Sequence, residues 1–190
     1  MEERKLEINN KLESIELIRE LGLNKFSEEL FGRGDEEKVI KFLENNPAKY
    51  YAIRDKSVAG GIFKLKVLKD DVLNSIKEYE FYTINVSSAN YSNSQLLVGE
   101  IEIFKTGEVY LTLSTNKEYS VRDAIRDPEF NLKTDLFDDE NLKRIPYFDL
   151  IFEFIVKNRL YDVIVEFSLF NENVGINNEN IIIYELRTNY

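Results

Sequence analysis

Two acidic residues and one arginine near the end of the sequence have the types and spacing to do chemistry. Glu166 lies in DVIVEFSLF (162–170), and Glu185 and Arg187 lie in IIIYELR (181–187). Both runs are rich in β-branched and aromatic residues, so both read as strands. Side chains alternate faces along a strand. Ile164, Glu166 and Ser168 therefore share one face, and Val163, Val165, Phe167 and Leu169 the other. On the second strand Ile181, Ile183, Glu185 and Arg187 share a face, opposite Ile182, Tyr184 and Leu186. Pairing Phe170 with Ile181 sets Glu166 opposite Glu185 and Ile164 opposite Arg187. Like charges directly opposite one another destabilise a sheet. Such a pair requires a cation, either a divalent metal or a basic side chain, and Arg187 is within reach. The competing reading is a solvated strand face with charges wherever they fall. A one-residue slip in register would separate the pair.

A second constellation is RDKSVAGG (54–61). Arg54 ends a strand and could bind a phosphate bidentately. The backbone at Ala59, Gly60 and Gly61 allows close approach to an anion, and Lys64 and Lys66 on the next strand add positive charge. The plainer alternative is an ordinary hairpin connection with a surface arginine. Arg122 and Arg126 stand four apart in SVRDAIRD, interleaved with Asp123 and Asp127, and read as a salt-bridged solvent face.

The composition excludes other chemistries. The chain of 190 residues has no His and no Cys. That removes Ser-His-Asp triads, thiolate nucleophiles, His- or Cys-ligated zinc, Fe–S clusters and disulfides. Carboxylates, Lys, Arg, Tyr, Ser and backbone amides remain, and any metal is expected to take oxygen ligands, which suits Mg²⁺, Mn²⁺ or Ca²⁺. The net charge of −10 disfavours nucleic acid or anionic lipid as a partner. MEERKLEINNKLE has no apolar core of a signal peptide, and no run of 18 apolar residues is present, so a cytoplasmic location is expected.

The elements that must hold these residues follow from periodicity. A helix is expected over 2–21, ending at Gly22, and another from an Asp35 N-cap to Asn45–Asn46 before Pro47. Residues 1–47 thus read as an N-terminal helical segment. Beyond it, strands are expected at 50–54, 61–68 and 80–88, with a short helix at 70–79. QLLVGEIEIF (95–104) and GEVYLTLST (107–115) form a hairpin. A short helix is expected at 119–126. Residues 129–137 carry no decisive pattern. A helix from Pro146 to about Asn158 presents Phe148, Ile151, Phe154 and Ile155 on one face. The polar NENVGINNEN reads as the loop between the last two strands. The fold class is α+β, a mainly antiparallel sheet with flanking helices, with residues 48–190 as the main domain or 1–190 as one.

In order along the chain, these segments resemble the nucleotide-binding domain of the phosphoenolpyruvate synthase and pyruvate phosphate dikinase type, within the ATP-grasp superfamily. YYAIRDKSVAGG resembles the family's strand ending in Arg-Ser-Ser followed by Ala-Gly, with Arg54 in the arginine position and Ala59–Gly60 in the later one. Gln95–Leu96–Leu97–Val98 and Gly107–Glu108–Val109–Tyr110–Leu111–Thr112 resemble its Gln-x-Met-Val and Ser-Gly-Val-x-Phe-Thr runs. DVIVEF and YELR resemble its closing acidic and Leu-Gln-x-Arg strands. The resemblance implies ATP and Mg²⁺ as cofactors, Glu166 and Glu185 as metal ligands, and Arg187 at phosphate. The sequence departs from the family in lacking a Gly-x-Lys segment, in Asp55–Lys56 where the family has Ser-Ser, and in Glu185 where it has Gln. Two readings follow. One is an ATP- and Mg²⁺-binding ATP-grasp-like protein, either a phosphotransferase or a binder without the full reaction. The other is a non-enzymatic interaction domain whose first helix meets a protein partner or a second copy.

Overall fold

The computed structural model describes residues 8, 11–56 and 62–188. The elements run α1 (Lys11–Glu20), β1 (Glu28–Gly32), α2 (Glu36–Asn45), β2 (Tyr50–Asp55), β3 (Phe63–Leu68), α3 (Val72–Ser75), β4 (Phe81–Val86) and β5 (Gln95–Ile103). There follow β6 (Glu108–Ser114), α4 (Val121–Arg126), β7 (Phe130–Asp135), α5 (Asp139–Leu142), α6 (Phe148–Asn158), β8 (Ile164–Val174) and β9 (Glu179–Arg187). The expected α+β class holds: there are two sheets with flanking helices, and the strand pairs are antiparallel. The chain divides into a unit of residues 26–92 and a unit made of 1–25 with 93–190. The boundaries between the two units fall at 25/26 and 92/93.

The 26–92 unit holds a four-stranded sheet ordered β1-β4-β2-β3. Its helix α2 begins after Asp35 as expected, and it buries Val39, Phe42 and Leu43. Phe42 meets Phe31 of β1 edge-on, with ring centroids 5.8 Å apart. The Tyr51 hydroxyl donates to the carbonyl of Asn46 at 2.7 Å and ties β2 to the end of α2. Strand β1 lies inside the stretch expected to be helical. Only Phe31 of its five residues is buried, so EELFG carries almost no alternation to read.

The other unit holds a five-stranded sheet ordered β7-β6-β5-β8-β9. One face is apolar: Leu97, Ile101 and Ile103 of β5, Val109, Leu111 and Leu113 of β6, and Val165, Phe167 and Leu169 of β8. Helix α6 packs here through Phe148, Ile151 and Ile155, three of the four residues expected on its inner face, with Phe154 partly buried against them. Strand β7 fills the undecided 129–137 stretch. Its Phe130, Leu132 and Thr134 are half-buried, while Asn131, Lys133 and Asp135 are exposed. Gly99 lets β5 and β6 approach closely, since a Cβ there would stand 2.1 Å from the Thr112 carbonyl oxygen.

The last hairpin is longer than expected. Strand β8 continues to Val174, which pairs with Glu179, so the connection is a tight turn at Gly175–Asn178. Gly175 takes φ 76°, and a Cβ there would lie 2.5 Å from Asn24 Oδ1. Asn24 is fully buried and clamps this turn. Its Nδ2 donates to the carbonyls of Val174, Glu179 and Ile181 at 2.8, 3.1 and 3.0 Å, and its Oδ1 accepts from the Asn177 N–H at 2.9 Å. Helix α1 lies along β9, where Ser14 Oγ accepts the Leu186 N–H at 2.7 Å.

Replacing Asn24 by Ala leaves several buried backbone groups without a partner, each worth about 1–3 kcal/mol. Asn24→Ala is therefore expected to lose about 3 kcal/mol or more in urea unfolding. A loss below about 1 kcal/mol would show that water replaces the clamp.

Candidate functional site

The second face of the five-stranded sheet carries the acids. The register sets Glu100 of β5 opposite Glu166 of β8, and Glu166 opposite Glu185 of β9. Three adjacent strands thus contribute one carboxylate each to a single row. Ile164 stands opposite Arg187. Both C-terminal pairings match those derived from the sequence.

The arginine folds back onto the row. Its Nη2 donates to Glu100 Oε2, and its Nε lies 3.5 Å from Glu166 Oε1. That Nε is buried and makes no hydrogen bond. The side chains are 29 % exposed for Arg187, 21 % for Glu100 and 19 % for Glu166, so this is not a freely solvated face. In such a half-buried setting opposite charges attract more strongly than at a wet surface. Arg187 offsets the repulsion that facing carboxylates would otherwise bring.

A bulge makes this placement. Leu169 pairs with Ile181 and Phe167 with Ile183, but Glu166 pairs with Glu185, so Tyr184 is the extra residue. Phe170 is therefore not opposite Ile181, as the uniform register required. The bulge also corrects the face assignment. Ile181 and Ile183 enter the apolar core together with Leu186, whereas Tyr184 packs in a different cluster with Val98. A strict period of two would have placed Ile181 and Ile183 on the same face as Glu185 and Arg187.

Helix α4 covers the neighbouring part of this face. Val121 and Ala124 pack on Val98, with Tyr119 and Tyr184 beside them, and the Tyr184 hydroxyl donates to Ser168 Oγ at 3.1 Å. The helix starts with a capping box. Ser120 Oγ accepts the Asp123 N–H, while the Ser120 N–H donates to the Asp123 carboxylate at 3.0 Å. The Ser120 hydroxyl also donates to that carboxylate at 2.7 Å, and this bond is the main reason that the Asp123 carboxyl lies below its ordinary value. Arg122 and Arg126 are exposed on α4, as a solvated face requires.

Glu100 and Glu102 escaped the sequence reading. Both sit in VGEIEIF two residues apart, an acidic alternation inside an otherwise apolar strand, and that alternation was the available signal. Glu102 is 5 % exposed. Together with Thr112, Asn131, Lys133 and Ile164 these two acids line a cavity of about 210 Å³ on this face.

Arg54 and Lys64 belong to the 26–92 unit. Arg54 stands opposite Phe63 and Thr83, with its guanidinium 5.1 Å from the Phe63 ring centre. Lys64 is exposed, its ammonium 5.7 Å from the Tyr79 ring centre. Ala59, Gly60 and Gly61 lie outside the described residues. Among the described residues no helix is long and apolar enough to cross a membrane.

No family model matches the sequence, and no curated protein matches it. Solved structures do match. The macrocyclase MdnC from Microcystis aeruginosa, bound with the precursor peptide MdnA, aligns with 95 % of this chain and 53 % of its own at a TM-score of 0.51 and 15 % identity. The D-alanine–D-alanine ligase of Helicobacter pylori aligns with 94 % of this chain and 50 % of its own, at a TM-score of 0.46 and 13 % identity. The N5-carboxyaminoimidazole synthase of Aspergillus clavatus, in complex with ADP and 5-aminoimidazole ribonucleotide, aligns with 95 % and 44 %, at 0.48 and 15 %. The chain spans about half the length of these structures. The macrocyclase likeness concerns the fold alone, and the two antiparallel sheets with flanking helices are consistent with an ATP-grasp-like fold.

The capping box makes the stability of α4 depend on pH. Because the folded Asp123 carboxyl lies below its ordinary 3.8, its contribution is present above that value and is lost as pH falls through the folded value. Asp123→Asn is expected to melt below wild type at neutral pH, with the difference narrowing in acid. A difference that stays constant below pH 3.8 would rule this out.

Proposed function

We propose that the chain binds ATP together with Mg²⁺ at the acidic row, and that its chemistry is of the phosphoryl-transfer class. The observation that carries this reading is the row itself, Glu100, Glu166 and Glu185 on adjacent strands with Arg187 drawn between two of them. It is supported by the ATP-grasp-like fold and by the order of short motifs along the sequence, with Arg54, Gln95, Glu166, Glu185 and Arg187 in their matching places.

The residues suit the ion. All the donors are carboxylate oxygens, which Mg²⁺ prefers. Counted formally, three carboxylates and one guanidinium leave two negative charges, the charge that one divalent cation offsets. Among the described residues no group of three or more acidic side chains is arranged to hold an ion unaided. Mg²⁺ is commonly held through one or two carboxylates and completed by phosphate oxygens and water. Glu166 and Glu185 are the proposed ligands.

When bound, the ion would supply charge neutralisation at the phosphates, the main electrostatic need of phosphoryl transfer. The chain's own residues position and counter charge. Glu166 and Glu185 are register partners on adjacent strands. Arg187 places a permanent positive charge beside them. Within the 26–92 unit, Arg54 keeps the phosphate-binding part that the resemblance implies, with Ala59–Gly60 after it in the matching motif, and Lys64 adds the positive charge read from its strand. None of these roles needs His or Cys, which the chain lacks. The finer kinship with the phosphoenolpyruvate synthase type stands on the motif order alone, and Glu185 in place of Gln points to a member with a more acidic site.

Ligand at a hundred times its dissociation constant stabilises a fold by about 2.7 kcal/mol. For a chain of this size that is a rise in melting temperature of roughly 5–10 °C. ATP with Mg²⁺ is expected to produce that rise in wild type, and Glu166→Gln is expected to abolish it. Wild type indifferent to millimolar ATP and Mg²⁺ would overturn the reading in favour of an interaction domain.

A further inference from the structure

The acidic row already contains a cation, and it is covalently part of the chain. Arg187 lies within bonding distance of Glu100, a residue outside the proposed metal pair, and reaches Glu166, a residue inside it. The two contacts differ in kind. The Nη2 group closes a charge-assisted hydrogen bond on Glu100. The Nε group stops 3.5 Å from Glu166 Oε1 and remains a buried donor with no hydrogen bond. Glu100 therefore anchors the guanidinium, and Glu166 lies within reach of its charge.

This geometry sets a competition. A divalent ion held by Glu166 would share that carboxylate with the Arg187 guanidinium, whose Nε is 3.5 Å from Glu166 Oε1, and like charges repel in a half-buried site where solvent screens poorly. Nucleotide phosphates reverse the sign of the problem, because they bring negative charge that the guanidinium can face. We infer that Arg187, anchored by Glu100, is a resident counter-ion that makes divalent-metal binding at Glu166 and Glu185 depend on nucleotide phosphates. Arg187 is then a positioning residue that sets the order of binding, and Glu100 becomes part of the site by holding it. The inference rests on the acidic row being the metal site of the proposed function.

The test uses Mn²⁺ without nucleotide, titrated into the full chain and followed by the paramagnetic resonance signal of free Mn²⁺. The double variant Glu100→Gln/Arg187→Gln removes one charge of each sign, so the balance of the row is kept. It is expected to bind Mn²⁺ roughly ten- to a hundredfold more tightly than wild type, the range by which groups supporting metal ligands tune affinity. A non-hydrolysable ATP analogue should then tighten Mn²⁺ binding to wild type far more than to the double variant. Arg187→Lys keeps the charge and should bind Mn²⁺ as weakly as wild type. If the double variant does not fold, Arg187→Gln alone is read for the same gain. Equal Mn²⁺ affinity in wild type and the charge-removed variant, whether tight, weak or absent, overturns the inference, and so does tight binding by Arg187→Lys. A gain in Mn²⁺ affinity together with no melting shift of wild type by ATP and Mg²⁺ would keep the counter-ion and discard the nucleotide.

Discussion

Carboxylates on neighbouring strands of one sheet face repel, and the C-terminal sheet has to resolve that repulsion before anything else on that face can be arranged. Glu100, Glu166 and Glu185 face one another across β5, β8 and β9, with Arg187 spanning from Glu100 towards Glu166. The remaining architecture serves this interaction. The apolar underside anchors all three strands against α6, while α4 and Tyr184 cover the adjoining part of the upper face. The strands cannot slide without exposing Leu97, Val165 and Ile183, so hydrophobic burial holds the charges in register. The free energy comes chiefly from the underside, and the specificity of placement comes from the upper one.

A single extra residue in β9 reconciles two demands. Four consecutive residues, Ile181, Ile182, Ile183 and Tyr184, pack away from solvent or nearly so, and the next three must put Leu186 inward and Arg187 upward. Strict alternation from Ile181 would send Leu186 to the acidic side. The bulge at Tyr184 resets the phase, so both faces receive suitable side chains. It also explains how the sequence reading could place Glu166 opposite Glu185 and yet assign the isoleucines to the wrong face. The acid pairing depends only on the end of the hairpin, whereas the isoleucines lie on the far side of the phase change.

Elements with strong local periodicity were legible in the amino-acid order. The β5–β6 hairpin has alternating apolar residues with Gly107 at its turn, and α6 repeats its aromatic and aliphatic positions at helical spacing. Elements whose burial is set by distant partners were not. Strand β1 buries only Phe31, and its place follows from pairing with β4 more than fifty residues on. The tight turn of the last hairpin was read as a long polar loop, since the residue that fixes it, Asn24, lies about 150 positions earlier. Glu100 belongs to the same class: only the neighbouring strands show that its alternation with Glu102 faces other acids rather than water.

The tie between the two ends of the chain has a consequence for how the molecule comes into being. The unit of residues 26–92 is continuous, but the larger one is split between 1–25 and 93–190. Its closing contacts span almost the whole length, as when the Ile8 N–H donates to Thr188 Oγ1. Loop-closure entropy has to be met before such distant contacts return any stabilisation, so high contact order slows folding. Helix α1 finds its place only against β9, more than 150 positions further along the chain. The acidic row needs the same strand, and a chain truncated before Arg187 would carry Glu100 and Glu166 without that counter-charge.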